Sequence, residues 1–427
     1  MGAFRSSRMD DFEIVAAPDP SRRASRVAVV GGGASGTLMA LALARQRPDI
    51  DVTLIEPGQI GAGLAYGTSH GEHRLNVLPQ RLSPFSDQPD DFAHWLVARG
   101  QIAEVGEKAF VPRALMGAYL SERLATLGRR VSIRHASVTT IDADAELIHV
   151  RLHSGEIVAA DAVILATGHS WAPPRDLDRD VPPDASVTIL GTGLGMVDRW
   201  LSLRESGHRG PVVAVSRHGL APLSHGACPT PLSLPAVPLG WSVSQTMCWL
   251  RDLAAQVADW RMAVDAIRPH TQRIWQSWTQ SERRRFLRHA RRYWDVHRHR
   301  IAPDIALRLA QELEERSVRL VRAHETTAGD YLFDCRGHLP DWSDLSNPLI
   351  ASLVRDGLIR PDALGIGLDV TPGCNLVARD GQPWPQMFAV GPITRGRFWE
   401  IEAIPDIRVQ CEALAQSISL GAGVAAV

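Results

Sequence analysis

The sequence predicts an α/β protein in which a strand, a glycine-rich turn and a helix follow one another twice. The first copy begins with the apolar residues 27–30, and a helical apolar run at 37–44 follows its glycines. The second copy begins at 186–190 and continues with an apolar helix at 197–203. A further apolar strand at 387–390 precedes a glycine near the end of the chain. Strands that alternate with helices are typical of parallel sheets, so we expect an α/β fold.

The first glycine-rich turn has the pattern G-x-G-x-x-G between its strand and its helix. Gly31 permits the tight turn, Gly33 lets the backbone approach a pyrophosphate, and Gly36 lets the helix pack closely on the strand. Ala34 and Ser35 complete the turn at the helix N-terminus, where unpaired N–H groups bind phosphate. We therefore expect a dinucleotide at this turn. A glycine-rich surface turn without a ligand is the alternative.

The second turn repeats this pattern with one departure. Gly191, Gly193, Leu194 and Gly195 follow the strand, but Met196 stands where the third glycine is expected. A side chain at that position implies a wider approach of helix and strand. We predict a second nucleotide site here, and a structural duplicate that binds no ligand is the alternative.

The residue that ends the following strand differs between the two copies. Glu56 in the first copy and Ser216 in the second have the same spacing from the first glycine of their turn. A carboxylate at this place binds ribose hydroxyls, whereas an arginine beside it accommodates the 2′-phosphate of NADP. Because Arg217 follows Ser216, we expect the second site to prefer NADPH to NADH. The alternative is an arginine that is merely exposed at a strand end.

A loop that is dense in glycine follows Glu56. It contains Gly63, Leu64, Tyr66 and Asn76 together with two histidines. Loops on a rigid scaffold commonly carry function, so we expect this loop to lie against a ligand. The alternative is a connecting loop whose glycines only supply positive φ angles.

The region 241–316 is predicted to be helical, and tryptophans and arginines are concentrated in it. One interpretation is an amphipathic helix pair with tryptophans inside and a solvated basic face outside. The alternative is a pocket for a substrate or a cofactor phosphate. His297 and His299 are candidate catalytic residues by residue type alone, because an unperturbed imidazole titrates near neutrality.

Composition limits the class of protein. Of the 427 residues, 45% are hydrophobic and 22% are charged, and the formal net charge is −1. This balance argues against nucleic acid or an anionic membrane as the main partner. The five cysteines form no C-x-x-C pair, so neither a zinc site nor a dithiol centre is expected. We expect no transmembrane helix, a disordered tail at 1–25 and a cytoplasmic location.

With these blocks in place, the chain resembles the bacterial FAD-NAD(P)-binding protein family. These flavoproteins have two dinucleotide-binding domains and are related to the flavin-dependent N-hydroxylases and flavin monooxygenases. The segments that carry the resemblance are 63–66 with 75–77, 165–168, 193–198, 216–220, 294–300 and 390–408.

The resemblance implies two cofactors, FAD and NAD(P)H. The residues that it places around FAD are Gly31 to Gly36, Glu56, the 63–76 loop, Thr167, Gly168 and Gly391. It assigns NAD(P)H to the turn Gly191 to Gly195 with Ser216 and Arg217. Two departures from the family pattern stand out. Arg336 replaces a small residue in a turn, and Pro392 replaces the acid that often meets the flavin ribityl chain.

We therefore expect two Rossmann-like (three-layer ββα) dinucleotide-binding domains, with the NAD(P) domain and a helical insertion placed inside the FAD domain. The expected boundaries are 26–184 and 326–427 for the two parts of the FAD domain and 185–325 for the NAD(P) domain, with the helical insert at about 241–316. Within the first part, residues 131–168 are expected to form a strand meander.

Two nucleotide sites in one chain imply hydride transfer from NADPH to FAD, since the cofactors carry the difficult chemistry. The leading hypothesis is that the reduced flavin activates O₂ and oxygenates a small molecule, with N-hydroxylation as one form. A flavin-dependent reductase or dehydrogenase without oxygenation is the second hypothesis. A redox-sensing nucleotide-binding module is the third. The sequence does not identify the substrate.

Overall fold

A computed structural model describes residues 25–143, 147–169, 180–226, 232–234, 236–323, 329–337, 340–343 and 345–418. The predicted tail lies outside these residues, except that Ser25 begins the first strand. Within the described ranges, no helix has the length and the apolar character needed to cross a membrane.

The strands are β1 Ser25–Val30, β2 Ile50–Ile55, β3 Val131–Arg134, β4 Val138–Ala143, β5 Ile148–Leu152, β6 Ile157–Ala160, β7 Ala162–Leu165, β8 Val187–Leu190, β9 Val212–Ser216, β10 Val318–Arg322, β11 Tyr331–Asp334, β12 Asn375–Val377 and β13 Pro383–Ala389. The helices are α1 Ala34–Gln46, α2 Gly63–Tyr66, α3 Asp91–Ala98, α4 Ala114–Ala125, α5 Leu194–Glu205, α6 Val243–Ala255, α7 Trp260–Ile267, α8 Thr271–Ser277, α9 Gln280–Arg285, α10 Arg291–Arg298, α11 Pro303–Glu314, α12 Pro348–Arg355 and α13 Ile404–Ser417.

The first sheet has the order β12-β13-β7-β1-β2-β3 and is parallel except at β12. On one face of this sheet an apolar core packs the strands against α1 and α13. On the other face a second apolar core packs them against β4–β6 and α12. The predicted meander at 131–168 is wrong in part, because β3 joins the parallel sheet beside β2 and β7 joins it beside β1. β4, β5 and β6 alone form the antiparallel sheet.

The second sheet has the order β10-β9-β8-β11 and is parallel throughout. Helices α5 and α11 pack on it around the buried Trp200. Strand pairing requires one change to the predicted domain boundaries. β11 pairs with β8 although it lies beyond the expected limit at residue 325, and its Phe333 is buried in the core of this sheet. The other boundaries stay a prediction, while the fold class is confirmed.

The two glycine turns have the same backbone geometry at the carboxyl edge of their sheets. Gly31 has φ +101° and Gly191 has φ +104°. A β-carbon at Gly31 would lie 2.7 Å from the carbonyl oxygen of Ala166, and one at Gly191 would lie 2.6 Å from that of Cys335. The turn after β11 therefore occupies the same position in the second unit as the turn after β7 occupies in the first.

The helix–strand contact is tighter in the first unit. A β-carbon at Gly36 would lie 1.7 Å from the carbonyl oxygen of Gly31, which no side chain tolerates. In the second unit Met196 occupies the corresponding place and is completely buried. Helix α5 therefore leaves room beside its glycine turn that α1 does not.

The helical insert, α6 to α10, has an apolar core of its own that contains Trp275, Phe286 and Trp294. Trp399, near the end of the chain, stacks on Trp275 with ring centroids 4.7 Å apart. Helices α9 and α10 are joined by one π-helical turn, Phe286–Ala290, a feature frequent at functional sites. Trp275, Trp278 and Trp294 are buried, as the amphipathic interpretation predicts, whereas Trp241 at the start of the region is exposed.

Candidate active-site cleft

A cleft of about 420 Å³ lies where the two nucleotide-binding units, the helical insert and the C-terminal segment meet. Its walls come from all four parts of the chain. They include Leu64, Tyr66, Asn76, Arg113 and His169 from the first unit, Gly193, Leu194 and Asp198 from the second, Arg291, Asp295, Arg298 and His299 from the insert, and Arg395, Trp399, Glu400 and Glu402 from the C-terminal segment.

The first glycine turn leaves the N-terminus of α1 open. Gly33 is the N-cap residue, and no side chain caps the helix, so its first N–H groups are available to phosphate oxygens. Glu56 lies beside the turn and accepts hydrogen bonds from the N–H of Gly32 at 2.7 Å and of Gly58 at 2.9 Å. Each carboxylate oxygen keeps a further lone pair, so the fixed Glu56 still fits a ribose hydroxyl.

The predicted 63–76 loop begins with a short helix, α2, rather than an irregular loop. Its first residue, Gly63, has φ +49° and lies close to the glycine turn, because a β-carbon at Gly33 would be 3.2 Å from its Cα. Leu64, Tyr66 and Asn76 line the cleft. Burial raises the pKa of Tyr66 to about 12, although Arg113 acts in the opposite direction. Tyr66 is therefore a neutral phenol near pH 7.

Thr167, Gly168 and Gly391 lie at the edge of the first sheet beside α1. The hydroxyl of Thr167 is buried and has no hydrogen-bond partner in the described part of the chain, which fits a polar group of a cofactor. Gly391 has φ +78°, and a β-carbon there would lie 2.2 Å from Ser35 Oγ. Its N–H donates to Gln410 Oε1 at 2.7 Å, so Gln410 fixes the turn in which Pro392 replaces the expected acid.

The second glycine turn opens directly into the cleft. Gly193 is the N-cap of α5, again without a capping side chain. A β-carbon at Gly193 would meet no atom within 4 Å, and both Gly193 and Leu194 line the cleft. The geometry therefore leaves room for a phosphate group at the start of α5.

Ser216 has a local structural role. Its Oγ accepts hydrogen bonds from Thr192 Oγ1 at 2.9 Å and from the N–H of Gly219 at 3.0 Å. These bonds tie the end of β9 to the glycine turn, as Glu56 ties the end of β2 to the first turn. The spacing predicted that Ser216 ends this strand, as it does, but did not indicate that its hydroxyl is already used.

Arg217 is exposed and belongs to a cationic cluster beside the second turn. His218 contacts the guanidinium group of Arg292 from the helical insert, and Arg322 ends β10 in register with Ser216. Burial lowers the pKa of His218, and the charges of Arg292, Arg217 and Arg322 lower it further. Arg292 Nε is buried without a hydrogen-bond partner among the described residues. Such a cluster fits a phosphate group.

Acidic and basic side chains alternate along the wall formed by the insert and the C-terminal segment. Asp295 lies 3.2 Å from Arg291 Nε and 3.7 Å from His299 Nε2. Desolvation in the cleft raises the pKa of Asp295. Glu402 lies 3.5 Å from Arg395 and 3.7 Å from His169.

Desolvation and nearby positive charge have opposite effects on a carboxyl pKa, and the effect that dominates at Glu402 differs from the one that dominates at Asp295. Desolvation acts to raise the pKa of Glu402, but the positive charges of His169 and Arg395, with His299 and Arg291, outweigh it and the pKa is lowered. Because its side chain is 45% exposed, Glu402 is a carboxylate that a bound ligand can reach.

Glu400 joins the insert to the C-terminal segment at this wall. It accepts hydrogen bonds from Trp294 Nε1 and from Arg298 Nε, the latter at 3.1 Å. Its φ is +63°, which is uncommon for a residue other than glycine. Such a conformation persists only where the surrounding contacts hold it in place. The contact fixes α10 against the segment that precedes α13.

The two candidate catalytic histidines have different surroundings. His299 lines the cleft, whereas His297 is not among its lining residues. The His297 ring packs edge-on against Trp260 at 4.8 Å, and its Nδ1 lies 2.7 Å from the carbonyl oxygen of Tyr293. Helix periodicity explains this difference, because residues two apart point to different faces. Of the two predicted histidines, His299 alone therefore faces the cleft.

Polar contacts bind the two nucleotide-binding units together next to the cleft. Arg113 forms two hydrogen bonds of 3.0 Å with the Asp198 carboxylate on α5. The buried His73 lies 2.9 Å from the carbonyl oxygen of Asp198 and 3.0 Å from Ser202 Oγ. Burial lowers the pKa of His73, so its imidazole is neutral near pH 7. Helix α5 is thus attached to the first unit close to both turns.

The sheet order, the paired glycine turns and the shared cleft define a flavoprotein fold with two dinucleotide-binding domains. Residues 28–170, about a third of the chain, match the model of a family described as FAD-NAD(P)-binding. The predicted resemblance is confirmed by this match, and the cofactor prediction is confirmed as FAD and NAD(P) binding. No curated protein matches the chain significantly in sequence.

Solved structures of similar fold include hydroxylases and a reductase. An ornithine N-hydroxylase from Kutzneria sp. 744 is 15% identical, with a TM-score of 0.62. An ornithine hydroxylase from Pseudomonas aeruginosa is 14% identical, with a TM-score of 0.60. A bacillithiol disulfide reductase from Bacillus cereus is 16% identical, with a TM-score of 0.52. Each alignment covers 92% of this chain and 98% of the other. Identities this low establish the fold alone.

Proposed function

We propose that this protein is an FAD-dependent NADPH oxidoreductase that uses O₂ to oxygenate a small molecule. The observation that carries the proposal is that residues beside both glycine turns, Tyr66 and Gly193 among them, line the same cleft. Two dinucleotides held at these turns would bring their reactive ends to one enclosed space. The flavin, when bound, supplies hydride acceptance and oxygen activation.

The chain's own residues would bind and orient these groups. We propose that the open N-terminus of α1, Glu56 and Thr167 hold FAD, and that the open N-terminus of α5 with the Arg217 cluster holds NADPH. The candidate set for FAD also contains Gly31, Ser35, Gly63, Gly168 and Gly391. The polar contacts between Arg113 and Asp198 would keep the two sites in a fixed relative orientation.

The cysteines favour oxygenation over the chemistry of a disulfide reductase. No cysteine lines the described cleft. Burial raises the pKa of Cys374 to about 11, and burial also raises the pKa of Cys411. Both groups are therefore thiols near pH 7 and poor nucleophiles. The ornithine N-hydroxylase from Kutzneria, whose structure contains reduced FAD, NADP⁺ and L-ornithine, makes N-hydroxylation one form of the proposed reaction.

A reductase without oxygenation is the second candidate, and the fold shared with the bacillithiol disulfide reductase supports it. A redox-sensing nucleotide-binding module is the third. The expected cytoplasmic location stays a prediction.

The three candidates differ in what happens to molecular oxygen. We expect NADPH oxidation to consume O₂, to accelerate with a suitable amine, amino acid or sulfur metabolite, and to place ¹⁸O from ¹⁸O₂ in the product, as detected by mass spectrometry. Unchanged NADPH oxidation under nitrogen with a reduced product would favour the reductase. Negligible turnover of the flavin-loaded protein with every metabolite would favour the sensor.

A further inference from the structure

Two carboxylate–imidazole pairs line the cleft. Asp295 and His299 belong to the helical insert, with 3.7 Å between Oδ1 and Nε2. Glu402 of the C-terminal segment and His169 of the first unit form the other pair, also 3.7 Å apart. The sequence analysis singled out His299 by residue type alone and gave no reason to connect it with either carboxylate.

The charges around His299 come from the insert, the C-terminal segment and the first unit. Its own helix contributes Arg291 and Asp295, while Arg298 is paired with Glu400. The C-terminal segment contributes Glu402, with Arg395 and His169 against it. The charge of His299 acts on both Asp295 and Glu402, and so does that of Arg291. The charge of the imidazole therefore influences two carboxylates, each of which also pairs with an arginine.

The proposed reaction requires a proton. Its balance is NADPH + H⁺ + O₂ + S–H → NADP⁺ + S–OH + H₂O, where S–H is the substrate, so one proton is taken up in each turnover. A group that supplies this proton must reach the cleft, exchange with solvent and titrate near the working pH. His299 meets the first two requirements, because it lines the cleft and its side chain is 32% exposed.

We propose that His299 delivers the proton taken up in each turnover through Nδ1, and that Asp295, whose Oδ1 faces Nε2, is a positioning residue that orients this imidazole and stabilises its charged form. This inference rests on the proposed function. The proton leaves Nδ1 for the bound reactants, Nε2 keeps its proton towards Asp295, and the neutral ring regains a proton from solvent. No electron pair other than that of the N–H bond is involved in this step.

The backbone around the pair supports this role. The N–H of His299 donates to the carbonyl oxygen of Asp295 at 2.8 Å, which closes the end of α10. Arg291 Nε donates to Asp295 Oδ2 at 3.2 Å, so one carboxylate oxygen is held by arginine and the other faces the imidazole. The π-helical turn immediately before α10 sets which residues of this helix face the cleft.

The pairing is tested without turnover by titrating the histidines of the FAD-loaded protein by NMR. His299→Gln and His297→Gln variants identify the two resonances. In Asp295→Asn we expect the His299 midpoint to move to lower pH, because a negative charge that favours the imidazolium is removed. The His297 midpoint is the internal control and stays in place. Glu402→Gln, from the C-terminal segment, is the second variant and shifts the midpoint in the same direction.

The proton-delivery role is tested by the pH dependence of NADPH-driven O₂ consumption. We expect the rate to fall as pH rises through the His299 midpoint. In Asp295→Asn this alkaline limb of the pH–rate profile should move to lower pH by the shift that NMR measures. His299→Gln should lose the limb and about a hundredfold in rate, while His297→Gln keeps both.

These measurements separate the inference from the proposed function. If the wild-type protein oxidises no NADPH, the proposed function fails, and the titration still decides whether Asp295 and His299 interact. A His299 midpoint that neither Asp295→Asn nor Glu402→Gln moves would overturn the pairing. An active enzyme whose pH limb survives in His299→Gln would overturn the role of His299.

Discussion

Gly33→Val is expected to abolish FAD binding. A β-carbon at this position would already lie 3.2 Å from Gly63 Cα, and the two methyl groups of valine would extend into the space in front of the α1 N-terminus. Overpacking of this kind costs about 1–3 kcal/mol, to which the lost phosphate contacts are added. The measurement is the flavin content of the purified variant, determined from its visible absorbance after the protein is denatured.

The matched control is Gly193→Val, the same change at the equivalent position of the second unit. A β-carbon there meets no atom within 4 Å, so this variant is expected to fold and to retain FAD. Because its side chain would enter the room left for a phosphate at α5, it should raise the KM for NADPH. A Gly33→Val protein that keeps its full flavin content would show that the first turn does not hold FAD.

The double variant Arg217→Ala with Arg292→Ala is expected to lose the preference for NADPH over NADH. Charge-assisted hydrogen bonds contribute about 1.5–3 kcal/mol, so the wild-type preference in kcat/KM should be roughly 10- to 100-fold. The loss should come from a higher KM for NADPH, since NADH has no 2′-phosphate to engage the cluster. The measurement is the kinetics of both nucleotides with both proteins.

Two comparisons sharpen this prediction. Arg285→Ala removes an exposed arginine of the same insert that pairs with Glu282, and it should leave the preference unchanged. Each single variant should lose part of the preference, because the cluster joins residues from β9 and from the insert. If the wild-type protein uses both nucleotides equally, or the double variant still discriminates, this cluster does not bind the 2′-phosphate.

The sequence predicted those features that depend on local backbone requirements. Gly31 and Gly191 adopt φ angles that favour glycine, and Gly36 leaves no room for a side chain. Their spacing therefore indicated both turns, and the apolar runs before them indicated the strands. The residues that end β2 and β9 were located for the same reason, since a fixed strand length follows each helix.

Features that depend on pairing at long range were harder to predict. Residues 131–133 were predicted to be part of a meander, because strand propensity does not indicate which other strand a given strand pairs with. β11 was assigned to the wrong unit for the same reason. The short helix α2 escaped prediction because a single turn with Gly63 at its start has no helical periodicity to reveal it.

The cleft was the least predictable part. Glu402 and Asp295 lie far apart in sequence, and only the packing of the insert against the C-terminal segment brings them close to the same imidazole. Arg292 reaches His218 from the helical insert. The sequence around Ser216 and Arg217 therefore indicated only part of the cationic cluster. The contact of Gln410 with the turn at Gly391 could not be predicted, because no sequence pattern marks a buried glutamine that holds a turn.

The central claim is that NADPH bound at the second turn reduces FAD bound at the first, and anaerobic mixing tests it most directly. The FAD-loaded protein is mixed with NADPH, and separately with NADH, under nitrogen while the visible flavin absorbance is followed. We expect NADPH to bleach the flavin fully and faster than NADH, and admission of air to restore the oxidised spectrum. A flavin-loaded protein that stays oxidised in the presence of excess NADPH would contradict the claim.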